Sequence, residues 1–472
     1  MEVFFIFERP IQNRLSPMKI ISLYSILLFI SCSSDGMQLD STPDNDPISM
    51  DPVTDTELMQ TVQKDVFKYF WGYAHTNSKL SRERLHENDL SFDSNTVTTG
   101  GSGFGFLNVL MGIENNIISK EAGISHLQTA LDFLENADRF HGAWPHWMDG
   151  NSGTVLSFSS MDNGADLVET ALLCQGLICI REYFKNGNAE EQQLAQKADI
   201  LWKGVEWDWF TQGENVLYWH WSPNFDFEIN LPIVGYNEGL IAYIFGAASP
   251  TYPINAAVYH EGWAQNGAIK SEAQQYNIPV LLNHGGANDS VGPLFWAHYS
   301  YLTLDPRGLT DRYANYWDVV RNHTQIVLEH CIQNPNEFSD YSDKNWGLTA
   351  SYSRNTDGST GYSDHSPTND GGVISPTAAL SSLPYTPEAS MKYLRYLYEE
   401  KQEDYTGIAG PIDAYASHYQ WKTQRYLAID QGTIGPMIEN HKTQLFWNLF
   451  MNAPEIRSGL VTLGFTSTQH GF

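Results

Sequence analysis

The sequence predicts an all-α chain folded as an (α/α)6 barrel, a toroid of paired inner and outer helices. Three observations carry that expectation. Helical patterns recur from about Glu57 onward, while strand-like alternation is sparse. The helices alternate in character: segments 164–184 and 238–248 are apolar or small-residue rich nearly all round, whereas 188–206 and 386–401 are charged on one face. Inner helices buried on both sides and half-exposed outer helices explain that alternation. Finally, the connecting loops are long and carry most of the polar and aromatic residues that no helix face accounts for.

The elements follow in order. "DTELMQTVQKDVFKYFWGYA" is helical, as are "FGFLNVLMGIENN" and "SKEAGISHLQTALDFLENA", where Ser119 ahead of Glu121 and Ala122 marks a helix start. "NGADLVETALLCQGLICIREYF" and "AEEQQLAQKADILWKGVEW" come next, then "NEGLIAYIFGAA", "GPLFWAHYSYLTL" and "TDRYANYWDVVRNHTQIVLEHCI". The last third supplies "GVISPTAALSSL", "PEASMKYLRYLYEEK" and "IGPMIENHKTQLFWNLFM". Alternation of strand type is confined to pieces such as "NVLYWHW".

Ahead of this body, "MKIISLYSILLFISC" reads as a short signal core that ends in Ser31-Cys32. The Cys resembles a bacterial lipobox cysteine, with Phe29 at the usual Leu position; a plain signal peptide is the alternative. The expected division is therefore a signal peptide over 1–31 (true start at Met18), a lipidated Cys32 with an acidic tether over 32–56, and a catalytic domain over 57–472. Localisation follows as exported and lipid-anchored, in the periplasm or on the outer-membrane surface. Cys174, Cys179 and Cys331 read as buried thiols, and no Cys or His cluster has zinc-site spacing.

A formal charge of -28 disfavours nucleic acid and anionic polymers, so a neutral partner is expected. It also disfavours a lyase on acidic polysaccharides. The 14 Trp and 25 Tyr suit flat contact with sugars, although a large core uses them too.

Carboxylates mark the candidate site. Glu238 sits at the mouth of an apolar helix, where an unpaired carboxylate is costly; it is either paired or used in capping, or it has a chemical role. Asp162, Asp166 and Glu169 stand at i, i+4 and i+7, on one face of a helix start. They form either a solvated first turn or a functional face. Asp430 lies in a turn-like "DQGT" just before a helix that Pro436 starts, as an Asx-type cap or a catalytic group. Glu439 and His441 fall in the first turns of that helix, serving its electrostatics first and a pocket wall second. The loops "FHGAWPHWMDGNSG" and "LYWHWSPNFDF" place Trp144, His146 and Trp147, then Trp219, His220 and Trp221, just ahead of these acids. Such rings form sugar subsites or simply pack the loops. Glycoside hydrolysis needs two carboxyl groups and no metal, so neither metal nor cofactor is expected. The apolar surroundings of Glu238 suit a general acid.

The motifs "SMDNGADLVET", "VGYNEGLIAYI", "GPLFWAHYSYLTLDPRGL", "NWGLTASYS" and "GGVISPTAALSSLPYTPEASMKYLRYL" resemble the glycoamylase-like domain, and more narrowly glycoside hydrolase family 144, the β-1,2-glucanases. The resemblance spans about residues 57–460. It implies an (α/α)6 barrel that hydrolyses β-1,2-glucan with inversion, acting on internal bonds or releasing sophorose. It also implies roles: Asp162, Asp166 and Glu169 match the family's acidic cluster, Glu238 in "GYNEG" its glutamate and Asp430 a late aspartate. On that basis Glu238 is expected as acid and Asp430 as base, with Asp162 the substitute for either. Asp166, Glu169, Trp144, His146, Trp147, Trp219, Trp221, Tyr236 and Glu439 are the expected substrate contacts. The partner is a neutral oligo- or polysaccharide and the chain a monomer. The alternatives are a hydrolase for another neutral glucan linkage and a non-catalytic surface glycan-binding lipoprotein.

Overall fold

Helix α1 (Asp55–Trp71) opens on a capping box in which Thr54 and Glu57 satisfy each other's backbone amides. It is the first outer helix of a computed structural model that describes residues 53–285 and 289–472. The expected signal peptide, Cys32 and all but the end of the tether lie outside the described residues.

The chain then alternates between the two layers. Inner helix α2 (Thr99–Glu114) is followed by outer α3 (Lys120–Asn136), inner α4 (Leu167–Phe184), outer α5 (Ala189–Lys203) and inner α6 (Leu240–Ala248). A π-helical turn, Val258–Trp263, stands in the outer layer, and the 3-10 turns Leu294–Ala297 and Ser300–Leu302 in the inner one. Outer α7 (Tyr316–Gln333), inner α8 (Pro376–Leu380) and outer α9 (Pro387–Arg395) come next. After the short α10 (Gln402–Tyr405), inner α11 (Ala428–Thr443) packs on both α2 and α8 and closes the ring. Finally α12 (Leu445–Met451) and α13 (Pro454–Thr462) pack on α4 and α6. Six inner and six outer elements make the (α/α)6 barrel that the alternation of buried and half-exposed segments predicts. The expected start at Ser119 is found, its hydroxyl accepting from the Ala122 amide.

The inner ring is tight because small residues sit where its helices cross. A Cβ on Gly103 would lie 2.4 Å from the Leu172 carbonyl of α4, and one on Gly176 would lie 2.5 Å from the Gly103 carbonyl. Either substitution would push α2 and α4 apart.

Two expected elements are corrected. "GPLFWAHYSYLTL" is not an α-helix: the Leu294 amide donates to the Leu348 carbonyl and the Phe295 amide to Thr349 Oγ1, so a neighbouring segment holds the start in 3-10 turns. Nor does Pro436 start the last inner helix; it lies inside α11, which begins at Ala428. A proline there has no N–H for the Gly432 carbonyl. The side-chain amide of fully buried Asn108 replaces it, donating to that carbonyl at 3.0 Å and to Phe104 O at 3.0 Å. Asn108→Ala is therefore expected to cost about 1–3 kcal/mol of stability, read by urea denaturation, because it orphans a buried carbonyl. A smaller loss would mean that another group satisfies Gly432.

Short ladders lead the chain into the inner helices. Thr96–Thr98 pairs with Trp147–Asp149 ahead of α2, Ala165–Asp166 with His220–Trp221 ahead of α4, and Arg84–His86 with Arg425–Leu427 ahead of α11. They gather the N termini of the inner helices and the C termini of the outer ones at a single rim. A longer hairpin, Ala350–Arg354 with Thr360–Asp364, belongs to the same end through Tyr362.

Candidate active site

Three groups of carboxyls meet at this rim. The first is built around the start of α4. Asp166 is its N-cap: Oδ1 accepts from the Glu169 amide at 2.8 Å, and Oδ2 lies 2.9 Å from His146 Nδ1. Glu169 reaches across to α2, accepting from the Gly100 amide at 2.7 Å and from Thr98 Oγ1 at 3.4 Å. Burial pushes its pKa up to about 7, aided by Asp166 and opposed by His146 and that amide. Asp162 is buried with Oδ1 2.9 Å from His220 Nε2, a contact off the line of a good hydrogen bond, and Oδ2 has no hydrogen-bond partner.

The expected helical face is corrected here. Asp162 lies in the loop and Asp166 in the last strand pair before α4, so only Glu169 is helical. The three acids still converge, because the pairing of Ala165–Asp166 with His220–Trp221 folds the loop back over the helix start. His146, Asp162 and Asp166 each offer a ligand-type atom within 4.8 Å of the others. Burial alone would lower the pKa of His146, but the carboxylates of Glu169, Asp166 and Asp162 outweigh it and hold the ring at about 10. His146 thus supplies positive charge to a cluster that is otherwise carboxylate.

The second group is Glu238, in the turn before α6, with Gly239 as N-cap. The residue is half-buried, and desolvation of its carboxyl pushes the pKa up to about 7. Asp166 adds to the rise, while its own backbone amide and the Trp296 indole oppose it. Ser300 Oγ donates to the Glu238 carbonyl at 2.6 Å, which fixes the turn.

The third group contains a residue that sequence reasoning missed. Asp430 lies in the first turn of α11, fully buried, with Tyr299 OH donating to Oδ1 at 3.2 Å. Asp430 also interacts with the side chain of Asp413, whose Oδ2 accepts from the Tyr352 amide at 2.7 Å. Burial raises the pKa of both; Asp413 raises that of Asp430 further, while the hydrogen bond from Asp430 lowers that of Asp413, so the pair holds one proton around neutrality. Tyr362, 49% exposed, stands beside this pair from the hairpin. Tyr299 and Ser300 are adjacent, so the 294–302 segment holds Asp430 with one residue and Glu238 with the next. A carboxylate inside "GPIDAYA" breaks the same rule as Glu238 inside its apolar segment, and that signal would have found Asp413.

The remaining expected contacts divide. Trp147 is at the rim, with its ring against Phe158 at 4.9 Å and under the Arg84 guanidinium at 5.2 Å. Trp221, half-buried, also lies there but faces away from His220, as neighbours in a strand must. Four are corrected. Trp144 is core: its indole donates to Leu134 O at 3.1 Å, and Arg139 stacks on its ring at 4.0 Å. Trp219 is buried in the same core, its carbonyl accepting from the Leu167 amide. Tyr236 is fully buried against His284 and His323. Glu439 and His441 lie in the later turns of α11, because that helix starts earlier than Pro436 suggests. Nine residues of helix put Glu439 about 13 Å along the axis from Asp430. There it is held by Gln63, Asn115, Thr443 and Lys442, in the wall of a separate 670 Å³ cavity. Cys174, Cys179 and Cys331 are buried free thiols, as expected.

The arrangement suits acid–base chemistry on a bond laid across the rim. One carboxyl is half-buried and protonated near neutrality, and a buried pair on the other side of the 294–302 segment shares a single proton.

A family model described as Glycoamylase matches residues 230–454. The endo-β-1,2-glucanase of Chitinophaga pinensis, solved with sophorotriose and glucose, is 50% identical, with 88% of this chain and 99% of that one covered and a TM-score of 0.85. A β-1,2-glucanase structure from Parabacteroides distasonis is 37% identical over 88% of this chain and 60% of its own, with a TM-score of 0.81. An exo β-1,2-glucooligosaccharide sophorohydrolase of the same organism is 38% identical over 87% of this chain. The chain spans 58% of that curated relative's length. With half of the aligned residues shared with a glucanase matched almost from end to end, and with the barrel and its rim of carboxyls in place, the chain belongs to glycoside hydrolase family 144, within the glycoamylase-like domains.

Proposed function

We propose that the protein hydrolyses β-1,2-glucan with inversion at the anomeric centre. The observation that carries this reading is the pairing of Glu238, protonated near neutrality, with the Asp413–Asp430 pair beyond the same short inner segment. Glu238 gives its proton to the glycosidic oxygen as the C1–O bond breaks. Water attacks C1 from the opposite face and loses a proton toward Asp430, which is buried, so the proton passes through groups between it and the lumen. Tyr299 OH is the group in contact with Asp430. His146 and its carboxylates meet the sugar hydroxyls beside the scissile bond.

The purified protein is expected to release reducing ends from β-1,2-glucan and not from β-1,3-, β-1,4- or α-linked glucans. Early-time NMR should show the α-anomer first at the new reducing end, and the product ladder reads internal cleavage against release of sophorose. A different preferred linkage overturns the substrate; the β-anomer first overturns inversion and the role of Asp430.

Asp413→Asn should shift the acid limb of the kcat/KM profile to lower pH by about one unit or more, because an amide donor in place of the shared proton favours ionised Asp430. An unmoved limb would uncouple the pair from catalysis.

The location is proposed on the lipobox-like sequence: an exported protein anchored through Cys32 by a polar tether. Cys32→Ser should move the protein from the membrane fraction to the soluble one with unchanged specific activity. A wild type already soluble after export overturns the anchor.

A further inference from the structure

Outside the acidic pocket, the same rim carries an aromatic ledge that the reaction does not use. Trp209 is 42% exposed, an uncommon position for an indole that only packs loops. It opens a 3-10 turn just past α5, with Asp208 Oδ1 accepting from its amide at 3.0 Å. The His141 ring lies parallel beneath it, with centroids 3.8 Å apart and planes within 10°. His141 in turn meets the Trp221 ring edge-on at 4.8 Å. Phe227 flanks Trp209 at 6.5 Å, and Phe225 nearby in sequence is exposed as well.

The ledge is held in place rather than left to loop motion. His141 has φ 51° and Gly142 φ 75°, in a two-residue turn closed by reciprocal hydrogen bonds between Phe140 and Ala143. A Cβ on Gly142 would fall 1.9 Å from the Gly204 carbonyl, so the turn is seated directly on the end of α5. His141 Nδ1 lies 3.0 Å from Glu206 Oε2, and the His141 carbonyl accepts from the Glu206 amide. A non-glycine residue in the left-handed region, tied at both ring and backbone, fixes the plane on which Trp209 rests.

Chain direction links this ledge to the pocket. His220 and Trp221 are neighbours in one strand; His220 turns inward to Asp162, and Trp221 turns outward to His141. A polymer leaving the acidic face over this strand crosses Trp221 and then Trp209. A flat apolar ring bordered by the carboxylates of Glu206 and Asp208 matches a pyranose, with its apolar C–H face and hydroxyl edge, and carries nothing that prefers an anion.

We propose that Trp209, set on His141 and continuous with Trp221, is a distal subsite that binds a glucose unit of a long β-1,2-glucan chain beyond those at the bond being cut. This rests on the β-1,2-glucan reading of the catalytic site. The test compares polymeric β-1,2-glucan with the shortest β-1,2-linked oligosaccharide that the wild type cleaves. Trp209→Ala should raise KM for the polymer about three- to tenfold, the scale of one lost stacking contact, with kcat little changed. The ratio of kcat/KM for polymer over oligosaccharide should fall by the same factor, and Trp209→Tyr should restore most of it. If Trp209→Ala does not fold, Trp209→Leu fills the space without a flat face and should give the same fall. An unchanged ratio, or equal losses on both substrates, overturns the subsite. A wild type inactive on both substrates overturns the catalytic reading instead, so the two failures are told apart.

Discussion

Glu238→Gln is expected to lower kcat on β-1,2-glucan by about two to four orders of magnitude while leaving the fold and glucan binding intact. The amide is nearly isosteric and can keep the contact with the Trp296 indole, but it has no proton to give to the leaving oxygen. Stability supplies an independent reading of the same group. Its folded pKa, about 7, lies above the ordinary value of 4.5, so the native state binds this proton more tightly than the unfolded chain. That contribution is fully present below the unfolded pKa and is lost as pH rises toward 7. Glu238→Gln should therefore melt higher than the wild type above pH 7, with the gain vanishing near pH 4. Near wild-type turnover in a folded variant would sink the assignment as acid. A melting difference independent of pH would sink the claim that its carboxyl is desolvated.

Asp430→Asn is expected to cost a comparable two to four orders of magnitude, now by removing the group that takes the proton from water. Folding should survive, because the new amide can donate to Asp413 where the shared proton was. The new amide stands in for the Asp430 donor that lowers the pKa of Asp413, while burial, the main cause that raises it, is unchanged, so Asp413 should keep a pKa above the ordinary carboxylate range. Carboxyl NMR on the variant would check this, and a fall to the ordinary range would show that Asp430, not burial, holds the pKa of Asp413 up. If Asp430→Asn keeps its activity, the base lies elsewhere, and Asp162, with one buried oxygen lacking a hydrogen-bond partner, takes its place.

How far the site was legible depended on what each residue's neighbours in sequence could reveal. Glu238 was legible because its surroundings are local: an apolar helix follows directly, and a carboxyl there is conspicuous. The Asp162–Glu169 cluster was found through a helical spacing that the backbone does not have. It converges because a strand pair turns the loop back, so the residues were right and the geometry was not. Trp144, Trp219 and Tyr236 look like platforms in one dimension and are core in three. Their loops run beneath the rim before reaching it, and only packing distinguishes an exposed ring from a buried one.

Sequence by itself determined the alternation of layers, the six-pair ring and the presence of carboxyls at helix mouths. Hydrophobic periodicity and buried charge are properties of short segments, and these segments keep them whatever they pack against. Tertiary structure alone decided the pairings. Asp413 and Asp430 lie 17 positions apart and meet only because Asp413 is drawn in beside Arg425 and Tyr352 at the entrance to α11. Asn108 supports a proline on a different helix, and Glu439 is removed to the far end by a helix that starts before its proline. Each depends on a hydrogen bond or a contact between segments distant in sequence. A buried polar group takes the partner that the packed fold provides, and no local pattern names that partner.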